Sequence, residues 1–145
     1  MNGRVSTMIG EKIVTSFSGL LGFGIYFVVS VVLLALFSLI YARITPYKEF
    51  ALISKGNLAA AWSFSGALLG FAIPLASAIS HSVGLIDMAI WGTLALIVQL
   101  LTFSAVRRIF PAIVSDIPEN HVAQGVFLGV VSLVTGILNA ACMTY

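Results

Sequence analysis

Charge is what this chain has least of. Only 8% of its 145 residues are Asp, Glu, Lys or Arg, where a soluble domain carries about a quarter. A water-soluble surface cannot be built from that stock, and 60% of the residues are hydrophobic, with a mean hydropathy of +1.12. Cysteine is almost absent too: Cys142 stands alone, which excludes an internal disulfide. The basic residues lie in loops and the N-terminal stretch, and the net charge is only +2. There is no basic patch, so no nucleic-acid partner is expected. Neither H-E-x-x-H, nor a phosphate-binding glycine loop, nor a nucleophile–base–acid set within a span occurs. No cofactor, metal or enzymatic activity is therefore expected. The spacing D-x-x-E-x-H of Asp116, Glu119 and His121 is better explained by helix capping and solvation than by metal ligation.

What the chain does hold is four uncharged runs long enough to cross a bilayer as helices. They lie within residues 13–42 (centred on Leu20–Tyr41), 57–80, 88–106 and 122–145. The chain reads as an all-α integral membrane protein with four transmembrane helices in a single domain, 1–145. The start, Met1–Lys12, lacks the shape of a signal peptide, and Thr7–Thr15 is expected to form an interfacial helix. Tyr41, Trp62 and Trp91 fall near span ends, where amphipathic rings favour the membrane–water boundary. A short turn, His81–Asp87, joins the second and third spans.

Two long connections, Arg43–Gly56 and Arg108–His121, share an Arg-x-x-Pro opening. Thr45–Pro46 predicts a helix start, a capping threonine followed by a first-turn proline. Tyr47, Phe50, Ala51 and Ile53 would then dip into the headgroup region. Asp116 with Glu119 predicts a capping box for the fourth span, with Pro118 in its first turn.

Small residues line one side of the second span: Ala59, Ser63, Gly66 and Gly70, then Pro74. In the fourth, Gly125, Gly129, Ser132, Gly136 and Ala140 repeat that spacing, 66 residues further on. Lipid supplies no hydrophobic force between helices, so close backbone packing has to hold them together. These positions are expected at helix–helix contacts, within the chain or between copies. The repetition predicts two tandem helical hairpins, repeat one about 17–80 and repeat two about 85–145, related by an axis along the membrane normal. Pro74 frees the Gly70 carbonyl, which needs a donor where water is scarce. With the stripes aligned, Asn139 falls at the depth of Pro74 and Ser77 lies one turn beyond, so a polar cluster of Gly70, Ser77 and Asn139 is expected. Gln99, near the middle of the third span, should face protein and bond a serine such as Ser65 or Ser132.

At this point a family resemblance is visible. The run GALLGFAIPLASAI, Gly66–Ile79, resembles the second span of the YjfL-like proteins, small bacterial inner-membrane proteins filed as domain-of-unknown-function family 350. Leu85–Val106, with its Trp-Gly and Val-Gln pairs, resembles the family's third span, and Gly136–Met143 resembles its C-terminal end. The resemblance runs from about Phe17 to the end of the chain. It implies a bacterial inner-membrane location and a duplicated two-helix unit, and it implies no activity; the family's company suggests a link to envelope stress.

Three functional classes follow, ranked in this order. The first is a self-assembling structural or scaffolding component of the envelope, a homo-oligomer in the lipid bilayer with envelope protein partners. The second is a subunit of a passive ion or small-solute channel or transporter. The third is a membrane-embedded enzyme. The absence of acidic or basic residues inside the spans disfavours a proton-coupled carrier. Arg43, Lys48, Lys55, Arg107 and Arg108 sit in the long loops, against Arg4 and Lys12 on the other side. The positive-inside rule then predicts cytoplasmic long loops with both termini outside.

Overall fold

A computed structural model describes the backbone of residues 2–143 and the side chains of residues 15–143. Its elements are α1 (Asn2–Ile44), α2 (Glu49–Ser54), α3 (Leu58–His81), α4 (Leu85–Ile109), α5 (Ile113–Asp116) and α6 (Val122–Cys142). The stretch Thr15–Ile44 of α1, together with α3, α4 and α6, gives four helices long and apolar enough to span a membrane. The fold class is therefore all-α with four spans, the arrangement lipid demands of a chain whose backbone groups must bond internally. Polar side chains within the spans comply in the same way. Ser30, Ser38, Thr93 and Thr135 each donate to a carbonyl one turn back on their own helix.

Residues Met1–Val32 and Leu33–Tyr145 form two compact units. In the first, the backbone is one uninterrupted helix from Asn2, so the interfacial helix expected over Thr7–Thr15 is not a separate element. The side chains before Thr15, including Arg4 and Lys12, lie outside the described residues, as do Thr144 and Tyr145. Phe17, Leu21 and Phe23 are exposed, an apolar surface suited to lipid.

The second unit is built on α3, which packs against α2, α4 and α6. Its buried face carries Ala59, Ser63, Gly66, Gly70 and Pro74, and the facing side of α6 carries Gly125, Gly129, Ser132 and Gly136. A methyl group on Gly129 would lie 2.5 Å from the Trp62 carbonyl oxygen, and one on Gly125 would lie 2.6 Å from the Ala59 carbonyl carbon. Likewise Gly66 faces the Gly129 carbonyl, Gly70 that of Ser132, and Gly136 that of Gly70. Only glycine leaves room for this approach. It aims a Cα–H at a carbonyl across the seam five times over, each worth about 0.5–1 kcal/mol. The contacts advance together along both helices, Ala59 beside Gly125 and Gly70 beside Gly136, so α3 and α6 run parallel.

Both long loops end in the same backbone device. Gly56 (φ 81°) and Asn120 (φ 63°) take left-handed conformations. Around them Gly56 N–H bonds Ile53 O and Asn57 N–H bonds Leu52 O, while Asn120 N–H bonds Ile117 O and His121 N–H bonds Asp116 O. This paired closure is the Schellman motif. Asn57 then caps α3, its Oδ1 accepting from Ala60 N–H at 2.8 Å. Its Nδ2 donates to Ile117 O (2.9 Å) and Pro118 O (3.1 Å), which fastens the two loops together at one end of the bundle.

Three local expectations are corrected. The helix after Pro46 starts only at Glu49, with Lys48 at its cap. Thr45 still bonds back to α1 through Tyr41 O, which delays the turn. Asp116 and Glu119 form no capping box: the left-handed Asn120 separates them from α6, whose cap position is His121, without a side-chain bond. The turn after α3 is shorter than His81–Asp87, because α4 begins at Leu85 and Asp87 accepts from Val83 N–H inside its first turn.

Candidate functional site

Glu49 opens α2 and points inward. It is 1% exposed, and neither carboxylate oxygen has a hydrogen-bond partner. The short loop and α2 fold back over the start of α3, which turns the first residue of α2 towards the bundle rather than towards water. Three hydroxyls share its surroundings. Tyr41, 0% exposed, comes from the last turn of α1; Tyr47, 8% exposed, from the bend; and Ser63, 0% exposed, from the second turn of α3. Tyr41 and Tyr47 lie close to Glu49, and each has the Ser63 hydroxyl beside its phenol, but these approaches fall short of hydrogen-bond geometry and leave all three hydroxyls without a well-formed bond. Aromatic rings pack beside this chamber of buried polar groups. Tyr41 stands edge-on to Phe103 of α4 (5.4 Å between centroids) and Phe50 edge-on to Phe64 (5.2 Å).

A buried carboxylate without partner is costly, and Glu49 forms no ion pair among the described residues. Desolvation pushes its pKa up to about 8. Burial also raises the Tyr47 phenol, with the Glu49 charge adding to the effect and the Ser63 hydroxyl opposing it. At neutral pH the chamber thus holds a protonated acid and neutral phenols.

One refinement and one correction concern this end. Tyr41 keeps its place near the end of its span but turns its ring into the bundle, and Tyr47, expected to dip into the headgroup region, is buried as well, while Phe50 stays exposed. The sequence reading missed Glu49 because it stands beside Lys48 in a loop that looks solvated. The available signal was its place on the same face of α2 as Leu52 and Ile53, three and four residues on.

Elsewhere the singled-out residues separate into two groups. Gln99, 0% exposed, donates from Nε2 to the Ser132 carbonyl at 2.9 Å, and its Nε2 occupies the space a Gly70 side chain would fill. Its Oε1 and the Ser132 hydroxyl are unpaired. The expected Gly70–Ser77–Asn139 cluster does not form. Gly136 lies so close that its Cα covers the Gly70 carbonyl, leaving no room there for a carboxamide. Ser77 donates instead to Ala140 O at 3.2 Å, and Asn139 Nδ2 is buried without a partner. Arg43, Lys48, Lys55, Arg107 and Arg108 are all exposed. His121 lies 3.4 Å from Asp116 and 3.9 Å from Glu119, on the outer side of the second loop.

The family described as Domain of Unknown Function (DUF350) matches residues 15–143. The chain belongs to this family. It is 45% identical to the UPF0719 inner membrane protein YjfL of Escherichia coli K12 over 126 residues, 87% of this chain and 96% of that one. It is also 31% identical to the UPF0719 transmembrane protein YshE of Bacillus subtilis 168 over 110 residues, 74% and 82% of the two chains. No solved structure matches. With four apolar helices and these relatives, the chain is a multi-pass inner-membrane protein.

Proposed function

We propose that the protein is a transport-class membrane component, a small subunit that takes up a proton or small cation at Glu49 from the side of the long loops. The observation that carries this reading is the fully buried, unpartnered Glu49 carboxyl among three unpartnered hydroxyls. An ionisable group buried at the loop end of the bundle without a salt bridge is expensive, and function is a common reason to keep one. The reading as a self-assembling scaffold rests on small-residue faces free to meet other copies, and both stripes already face each other within one chain. Assembly into a homo-oligomer, alone or with envelope partners, would then use the outer faces of α1, α4 and α6. No catalytic activity, cofactor or nucleic-acid partner belongs to the proposal.

The proposal keeps the long loops in the cytoplasm and the termini outside. In support, Asn57 ties the two loops together, and the five loop cations are exposed. It also treats the hairpins as a duplicated unit. The matching closures at Gly56 and Asn120, the parallel α3 and α6, and the reciprocal contacts Ala59–Gly125 and Gly70–Gly136 support that view. The test is ion flux into proteoliposomes containing only this protein. Flux of protons or monovalent cations that Glu49→Gln abolishes is the expected result. No flux, with intact assembly, would favour the scaffold instead.

A further inference from the structure

We infer that the Glu49 chamber is a binding site for one dehydrated monovalent metal cation of the sodium or potassium kind, which competes there with the proton. This rests on the transport reading above and names its ligand.

The donor set decides the chemistry. Five oxygen atoms lack partners in the chamber: both carboxylate oxygens of Glu49, the phenol oxygens of Tyr41 and Tyr47, and the Ser63 hydroxyl. Tyr41, Glu49 and Ser63 are each more than nine-tenths buried, so water outside the bundle does not serve them. Unpaired buried polar atoms of this kind are ordinarily met by an ordered water or an ion, and the charge on the carboxylate favours the ion. An all-oxygen set suits a hard cation, whereas copper, nickel or zinc would draw on imidazole or thiolate. The histidines and Cys142 are exposed and elsewhere.

Charge fixes the valence. The chamber contains one acid, and its phenols remain neutral, burial raising the Tyr47 pKa. One carboxylate with one monovalent cation gives a neutral site, which a low-dielectric enclosure tolerates. A divalent ion would leave an uncompensated positive charge, and calcium sites recruit several carboxylates. The titratable groups facing Glu49 are Tyr41 from α1 and Tyr47 from the bend. Ahead of His81, α3 carries no ionisable residue, and α4 contributes Phe103 against Tyr41, with Arg107 and Arg108 exposed. Arg43, Lys48 and Lys55 are exposed as well, so no protein cation fills the position. The buried rings of Phe64 and Phe103 pack beside Tyr41 and help to keep bulk water from this end of the bundle.

The full chain in lipid nanodiscs, melted in sodium chloride, potassium chloride or choline chloride at equal ionic strength, tests this. At pH 9, sodium or potassium should raise the melting temperature saturably by several degrees over choline, since a ligand bound only by the folded form stabilises it. At pH 6 the apparent affinity should fall at least tenfold as the proton takes the carboxylate. Glu49→Gln should fold and lose the ion effect at both pH values. Ser63→Ala should weaken the apparent affinity several-fold while keeping its pH dependence. Equal melting in all three salts at pH 9 overturns the inference, as does an ion effect that survives Glu49→Gln, or calcium outdoing both monovalent ions. If wild type and Glu49→Gln differ only in pH dependence, the site takes a proton alone. This inference then fails and the transport reading stands. An ion effect without flux in proteoliposomes would do the reverse.

Discussion

Two regions of α3 handle polar groups in opposite ways. Along its seam with α6, from Ala59 to Gly70, the backbones touch and every glycine faces a carbonyl. At its loop end, where Ser63 meets Tyr41, Tyr47 and Glu49, polar side chains are sealed in and left unpaired. The seam therefore supplies rigidity, because nothing in it can repack without moving backbone. The chamber gives up stability, since its groups have traded water for nothing inside the chain. Ser63 belongs to both, as a member of the small-residue stripe and as a wall of the chamber. A rigid scaffold holding a costly site is the arrangement found where function opposes stability.

The contrast can be broken most severely at the seam. Gly136→Leu should drive a side chain into the Gly70 carbonyl and cost the upper end of the roughly 1–3 kcal/mol typical of overpacking, or more. Gly19→Leu, where nothing lies within 4 Å, should leave thermal stability in detergent unchanged. Wild-type stability in Gly136→Leu would mean the seam is not what holds the bundle.

At the chamber the sign reverses, and removing the acid should stabilise. The Glu49 pKa is raised from 4.5 to about 8, so the folded form holds its proton over a range in which the unfolded form has lost it. Stability from this group is complete below about pH 4.5, declines as pH rises, and levels off above about pH 8. In choline salts Glu49→Gln should flatten that slope and gain on the order of a few kcal/mol at pH 9. Denaturation midpoints across pH would show it, and parallel curves for the two proteins would contradict it.

Smaller effects sharpen the comparison. Gln99→Leu removes one buried bond to the Ser132 carbonyl and should cost about 1 kcal/mol, as interhelical bonds in membranes do. His121→Ala breaks contacts to Asp116 and Glu119 that are half in solvent, so the change in melting should stay within about 0.5 kcal/mol.

How much of this was legible varied with the kind of signal. The four spans could be read because an uncharged run of bilayer length has few other structures open to it. The small-residue faces were visible from spacing, but the sequence could not say whether they meet each other or another copy. Glu49 was hidden because its burial depends on where the loop closes. Gly56 and Asn57 set that closure, and a six-residue helix carries too little periodicity to announce its inner face. The burial of Tyr41 was hidden for a related reason. The residue ends its apolar run as a boundary aromatic does, and the tertiary approach of Phe64 from α3 and Phe103 from α4 encloses it. The failure of the Gly70–Ser77–Asn139 cluster came from a distance, since spacing gives depth along a helix but not how near its neighbour lies.

The site requires Glu49 to be protonated in the folded protein at neutral pH when no cation competes. Infrared difference spectra of the protein in lipid, recorded from pH 5 to pH 10 in choline salts and compared with Glu49→Gln, report its carboxyl directly. We predict a protonated C=O stretch that disappears with a midpoint near pH 8 and is missing from the variant. A midpoint between pH 4 and pH 5, or no Glu49-dependent band at pH 7, would show the carboxyl solvated and contradict the site.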